Sequence, residues 1–150
     1  MRVVLQRVTE ASVEIVNRIH SQIGKGILVL ACWEETDTEE DLTWMAGKIS
    51  RLRIFDDENG VMNLSVQEIN GEILLVSQFT LYASTKKGNR PSYIRAAKPD
   101  ISIPLYEKFI EILSKEINNE IRTGVFGAEM KVSLVNDGPV TIIIDSKNKE

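Results

Sequence analysis

ILLVSQFTLY, residues 73–82, is the stretch on which the fold turns. It predicts one long strand, apolar for four residues and then polar at Ser77, Gln78 and Thr80. Strand alternation puts Ser77 and Phe79 on one side and Gln78 and Thr80 on the other. Hydroxyl and amide groups need hydrogen-bond partners once they leave water. The polar end therefore either marks a strand emerging into solvent or forms a cluster at the mouth of a pocket.

Working outward, ILVLACW (27–33) is a second continuous apolar run, as expected of a strand buried on both faces, with Cys32 a small core residue. Upstream, Val3, Val4, Leu5, Val8, Val13, Ile15 and Val16 sit in β-branched surroundings without helical spacing. This reads as an opening strand, turned at Asn17-Arg18 into another over 19–23. Between the two apolar runs, Thr36 and Glu39 have the spacing of a capping box. Leu42, Met45, Ile49 and Leu52 then recur at helical intervals. Asn59-Gly60 and Asn70-Gly71 signal tight turns, flanking a half-buried strand at Met62, Leu64 and Val66.

After a polar loop over 83–100, a second helix is predicted from about residue 102 to 121. Pro104 suits its first turn, and Leu105, Phe109, Ile112, Leu113, Ile117 and Ile121 form its apolar stripe. Two strands, 130–135 and 140–145, close the chain on either side of Asn136-Asp137-Gly138-Pro139. The tail 146–150 is polar and expected to fray. The pattern is α+β, one domain over residues 1–150 with a small curved, β-barrel-like sheet and two main helices.

The 150 residues carry 18 Lys+Arg and 22 Asp+Glu, a net charge of −4, and 43% are hydrophobic, enough for a real core. No apolar run approaches the roughly 20 residues that span a bilayer, and Arg7 comes too early for a signal-peptide core. A soluble, cytoplasmic protein with no membrane partner is expected. One cysteine and one histidine, His20, exclude an internal disulfide, a multi-cysteine zinc site and a His-rich metal centre. Neither GxxxxGK[ST], GxGxxG, HExxH nor CxxC occurs, so no metal or cofactor is expected. Any chemistry would rest on hydroxyls, backbone dipoles or the substrate itself. Charge is unevenly spread. Residues 73–99 contain no Asp or Glu but hold Lys86, Lys87, Arg90, Arg95 and Lys98, either a solvated loop or a nucleic-acid contact.

Asn136-Asp137-Gly138-Pro139-Val140-Thr141 is the other unusual segment. Gly before Pro is a poor choice for a simple hairpin, since Pro139 donates no hydrogen bond and Gly138 permits unusual dihedrals. Such a turn either connects two strands or presents backbone oxygens to a ligand. Taken with SQFTL at 77–81, this segment resembles the D-aminoacyl-tRNA deacylase family. The resemblance extends over MRVVLQRVTEASV, RIFDDENGVMNLSV, KGNRPSY and VSLVNDGPVT, nearly the whole chain. It departs at Ser84, where an acidic residue is common, and at Tyr93, where Phe is common.

The resemblance implies a homodimer with its active site at the subunit interface, hydrolysing the ester bond of D-aminoacyl-tRNA and of mischarged glycyl-tRNA. Ser77, Gln78, Phe79 and Thr80 would line the catalytic site around the aminoacyl ester. A cis Gly138-Pro139 bond would reach into the partner's pocket, hold the substrate's α-amino group and leave no room for an L side chain. Phe126 and Met130 would contact the terminal adenine, while Lys86, Lys87 and Arg90 would meet acceptor-stem phosphates. An aminoacyl ester is already activated, so positioning and an oxyanion site suffice. Attack by water assisted by the tRNA 2′-hydroxyl and attack by Thr80 both remain open.

Overall fold

The computed structural model describes residues 1–117 and 119–150. In chain order the elements are β1 (Arg2–Ile15), β2 (Arg18–Ile23), β3 (Gly26–Cys32), α1 (Glu39–Arg51), β4 (Phe55–Asp56), β5 (Met62–Leu64), β6 (Glu72–Ser77), α2 (Pro99–Ile117), β7 (Arg122–Thr123) and β8 (Lys131–Asp145). A 3₁₀ turn at Phe79–Tyr82 follows β6.

β1 is the spine. Its first half pairs antiparallel with β3 and its second half with β2, while β8 runs antiparallel along its other edge. The β1–β2 hairpin turns through Val16 and Asn17, both at positive φ, the geometry of a tight primed turn. β3–β6 and β6–β7 are parallel pairs. Parallel neighbours need crossover connections, and α1 and α2 lie in those two crossovers. This is why residues 27–33 and 73–76 are so uniformly apolar: helices cover one face and the curled sheet covers the other. Ile27, Val29, Ala31, Ile73 and Leu75 pack beneath the helices, whereas Leu28, Leu74 and Val76 point into the second core with Val8 and Val13. Ser21 on β2 donates to the Thr123 carbonyl on β7 at 2.7 Å, so the curl nearly closes into a barrel. The α+β, barrel-like expectation is met.

Several boundaries differ from the sequence reading. β6 stops at Ser77, and residues 79–82 coil instead of extending. The cap of α1 is Thr38 rather than Thr36, because the Asp41 carboxylate accepts from both the Thr38 N–H (2.9 Å) and its hydroxyl (3.0 Å). β5 ends at Leu64, since the Ser65 N–H and hydroxyl both turn to the Glu68 carboxylate at 2.7 Å. α2 begins at Pro99, where a missing N–H costs nothing, and Pro104 falls in its second turn. The expected helix to residue 121 crosses residue 118, which lies outside the described residues.

The tail is anchored at its start rather than frayed throughout. The Met1 ammonium is buried against Asp37 and donates to the Ser146 hydroxyl at 2.7 Å. The Ser146 N–H returns to the Met1 carbonyl at 2.9 Å. Lys147 reaches Asp41 at 2.6 Å.

Candidate active site

β6 ends where its pairing to β3 ends. Ala31 is the last register partner of Ser77, and the Gln78 N–H donates to the Ala31 carbonyl at 2.7 Å. The chain then coils, with Leu81 N–H bonding the Gln78 carbonyl at 3.2 Å and Ala83 N–H the Thr80 carbonyl at 3.0 Å. Coiling swings Phe79 outward, leaving it 57% exposed. The Gln78 side-chain amide donates to Thr80 Oγ1 at 2.6 Å. One lone pair of that hydroxyl is therefore occupied. The Phe79 carbonyl accepts from the Cys32 thiol at 3.4 Å. Burial pushes the Cys32 pKa up to about 12, so this cysteine is a neutral donor, not a nucleophile.

Ser77, Gln78 and Phe79 form one wall of a cleft of about 510 Å³, floored by Trp33 and closed opposite by Phe126 and Met130. The polar end of the strand thus opens onto a pocket. Thr80 stands just outside the lining, half-buried and tied back to Gln78. His20 lies exposed on β2 and takes no part in the cleft.

Tyr93 stands at the cleft mouth, its ring centroid 5.0 Å from that of Phe79 and edge-on to it. Next to it, Ser84 and Ser92 exchange backbone hydrogen bonds at 2.8 and 3.0 Å, closing the basic loop. Lys86, Lys87 and Arg90 are exposed on that loop, and among the described residues none of them has an ion-pair partner. Arg95 differs: it pairs with Glu34 at 3.3 Å and lies over the Tyr82 ring. Tyr82 is held between the Arg95 and Arg2 guanidiniums, and burial beside Glu34 raises its pKa, keeping the phenol neutral.

Gly138 and Pro139 do not line this cleft. Nor do they form a hairpin. β8 pairs with β1 on both sides of them: Asn136 faces Val8 and Thr141 faces Gln6. Residues 137–140 are an outward excursion from one continuous strand, and the two expected strands are its two arms. The Gly138-Pro139 bond is cis, and Gly138 has φ +123°. A side chain there would lie 2.9 Å from Arg7 Nη2 and from Val140 Cγ2, so only glycine fits.

Arg7 is the residue that the sequence reading missed. The residue is 7% exposed and its side chain fastens the excursion from behind, Nε donating to the Asp137 carbonyl at 3.0 Å and Nη1 to the Ile54 carbonyl at 2.8 Å. Asp56 and Asp137 neutralise it at 3.3 and 3.4 Å. The available signal was an arginine at the inward-facing position of the alternation set by Val3 and Leu5. Arg7 lies level with Ile27, and Ile27 with Ile73, four residues from Ser77. At about 3.3 Å per residue this sets the excursion roughly 13 Å along the sheet from Ser77.

The D-Tyr-tRNA(Tyr) deacylase family model matches residues 4–145. The chain belongs to that family. It is a hydrolase. A D-aminoacyl-tRNA deacylase of Flavobacterium johnsoniae is 61% identical over all 150 residues of both proteins, and one of Bacteroides fragilis is 64% identical over the same span. A solved structure named c-Myc DNA Unwinding Element Binding Protein is 43% identical, covers 97% of this chain and 98% of its own, and superposes with a TM-score of 0.92. A second solved structure, 18% identical over 95% of this chain, shares the fold at a TM-score of 0.83. Among the described residues no helix is long and apolar enough to cross a membrane.

Proposed function

We propose that the protein hydrolyses the ester bond between a D-amino acid, or glycine, and the terminal ribose of tRNA. It would work as a homodimer in the cytoplasm, with residues 137–140 of one copy closing the cleft of the other. The observation that carries this reading is the separation of gate and cleft within one chain. A conformation that only glycine can adopt is braced by a buried arginine, yet faces solvent away from its own pocket. Val135 and Ile143 stand exposed on the two arms of β8 around it. The outer edge of β8 is unpaired among the described residues. An apolar, unpaired edge of this length favours a second copy of the chain.

In the cleft, Ser77, Gln78 and Phe79 would hold the ester, with the adenine between Phe126 and Met130. The Phe79 and Thr80 N–H groups begin the 3₁₀ turn, where helical geometry leaves them free to stabilise the tetrahedral oxyanion. The Gln78 hydrogen bond withdraws electron density from the Thr80 oxygen. That favours water as nucleophile, oriented by the adjacent 2′-hydroxyl of the substrate. Lys86, Lys87 and Arg90 would meet acceptor-stem phosphates. The backbone carbonyls at Gly138 and Pro139 would bind the α-amino group and turn away any L side chain. The reaction so drawn uses no cofactor.

The test is hydrolysis of D-tyrosyl-, L-tyrosyl-, glycyl- and L-alanyl-tRNA at equal enzyme concentration. Cleavage of the first and third with refusal of the others is expected. A backbone clash should reject the single methyl of alanine by more than the roughly 10–200-fold that a soft apolar pocket achieves. Equal glycyl and L-alanyl rates would remove the gate. A protein that binds tRNA without releasing D-tyrosine would be a nucleic-acid-binding module, a role for which the basic loop alone suffices.

A further inference from the structure

We infer that Tyr93, with Phe79, forms a stacking platform for the base of the penultimate nucleotide of the tRNA, the one just before the terminal adenosine. This rests on the reading above, in which the cleft receives that adenosine and its ester. Tyr93 and Phe79 are 37% and 57% exposed, although the neighbouring Trp33, Tyr106 and Phe109 are all buried. The two rings meet edge to face, which occupies one face of only one of them. Apolar rings left open at the rim of a pocket, with unpaired cations beyond them, are the arrangement that binds single-stranded nucleic acid.

The route of the strand follows from the charges. Among the cations of the acid-free segment, Arg95 is already neutralised by Glu34, whereas Lys86, Lys87, Arg90 and Lys98 have no ion-pair partner among the described residues, and three of those four lie in the loop closed by Ser84 and Ser92. A nucleotide chain leaving the cleft is therefore drawn toward the loop closed by Ser84 and Ser92. Tyr93 is the residue next to that closure and also lines the cleft. It stands between the two. The first base outside the cleft meets its ring before its phosphate meets a lysine. Because every base has a π-face, such a platform holds the strand without reading sequence.

The experiment uses three D-tyrosyl substrates: the ester of the dinucleotide CpA, the same ester with an abasic sugar in place of cytidine, and full D-tyrosyl-tRNA. The two dinucleotides carry the same phosphate and differ only in the base. For the unaltered protein the kcat/KM ratio of CpA to abasic ester should lie within roughly 5–150-fold, the range of one base–aromatic stack. Tyr93→Ala and Tyr93→Leu should bring that ratio close to one, and Tyr93→Phe should keep it. A ratio near one in the unaltered protein overturns the inference. So does a Tyr93→Ala variant that slows both esters in parallel with the ratio intact, since that is the mark of a structural role. If D-tyrosyl-tRNA is cleaved while the ratio is flat, only the platform fails. If neither ester nor tRNA is cleaved, the deacylase reading fails with it.

Discussion

Residues 77–80 and 137–140 both depart from regular sheet pairing, and they do so in opposite ways. At the first, a strand ends and separate hydrogen bonds hold its end: the Gln78 N–H to the Ala31 carbonyl, the Gln78 side-chain amide to Thr80, and the Cys32 thiol to the Phe79 carbonyl. At the second, a strand continues but steps outward, and one buried guanidinium supplies the charged anchor, while Asn136 accepts from the Val140 N–H and donates to the Thr141 hydroxyl across its base. The wall of the cleft is held by many small terms, the ridge by one large one. Substitutions should accordingly be graded at the wall and abrupt at the ridge.

The sharpest break should come at Gly138. In Gly138→Ala the new methyl meets Arg7 and Val140 in a conformation that L residues avoid. The ridge must move, and a misplacement of about 1 Å can cost on the order of 100-fold in rate. Deacylation of D-tyrosyl-tRNA should fall by about that factor in a protein that still folds. Activity within twofold of the parent would mean that the ridge has no part in the reaction.

Arg7→Met comes next. It strands the Asp137 and Ile54 carbonyls and leaves Asp56 and Asp137 without their cation. Breaking a buried pair costs about 3–5 kcal/mol. Here the carboxylates are partly solvated, so about 2–3 kcal/mol in urea denaturation is expected. A loss below about 0.5 kcal/mol, the scale of ordinary surface changes, would refute the single-anchor description.

How much of this contrast was legible beforehand follows from the same two segments. The wall was legible as one of two readings, since three polar side chains after four apolar ones mark either a strand emerging into solvent or a cluster at a pocket mouth. Its coil was hidden, since 79–82 satisfies strand alternation equally well and only the end of β3 stops the pairing. The ridge was visible as Gly before Pro, but not its direction. A hairpin and an outward step have the same local sequence, and they differ only in that both arms pair with β1. Arg7 stayed hidden because its partners, Ile54 and Asp137, are joined to it by tertiary structure alone. Strand order was likewise out of reach of periodicity, although the uniformly apolar runs of β3 and β6 did foretell a covered sheet.

Away from both segments, the basic loop should behave as a purely electrostatic contact. Lys86→Ala with Lys87→Ala should weaken tRNA binding and flatten its logarithmic salt dependence by roughly one to two units, given about 0.7–0.9 per phosphate contact. An unchanged slope would put the RNA elsewhere.

The smallest effect is expected at the wall. Thr80→Ala removes one neutral hydrogen bond, worth about 0.5–1.5 kcal/mol, so a rate loss of roughly 2–13-fold is expected. Complete loss, with a 2′-deoxy substrate cleaved normally, would instead make the threonine oxygen the nucleophile.

The pairing of Met1 with Ser146 gives the molecule a mechanical polarity. Because β1 and β8 are antiparallel and their ends meet, a load between those two residues peels the strands apart one pair at a time, beginning at Arg2 and Asp145. The hydrogen bonds lie along the pull and fail in sequence, as in a zipper, instead of sharing the load as they would in shear. Peeling proceeds past Gln6 and Thr141 and then reaches residues 137–140. There the next link is not a ladder bond but the arginine that ties the outward step to Ile54 in another part of the chain. The first rip under tension should therefore stop at that knot, leaving the far half of β1 and β8 still joined.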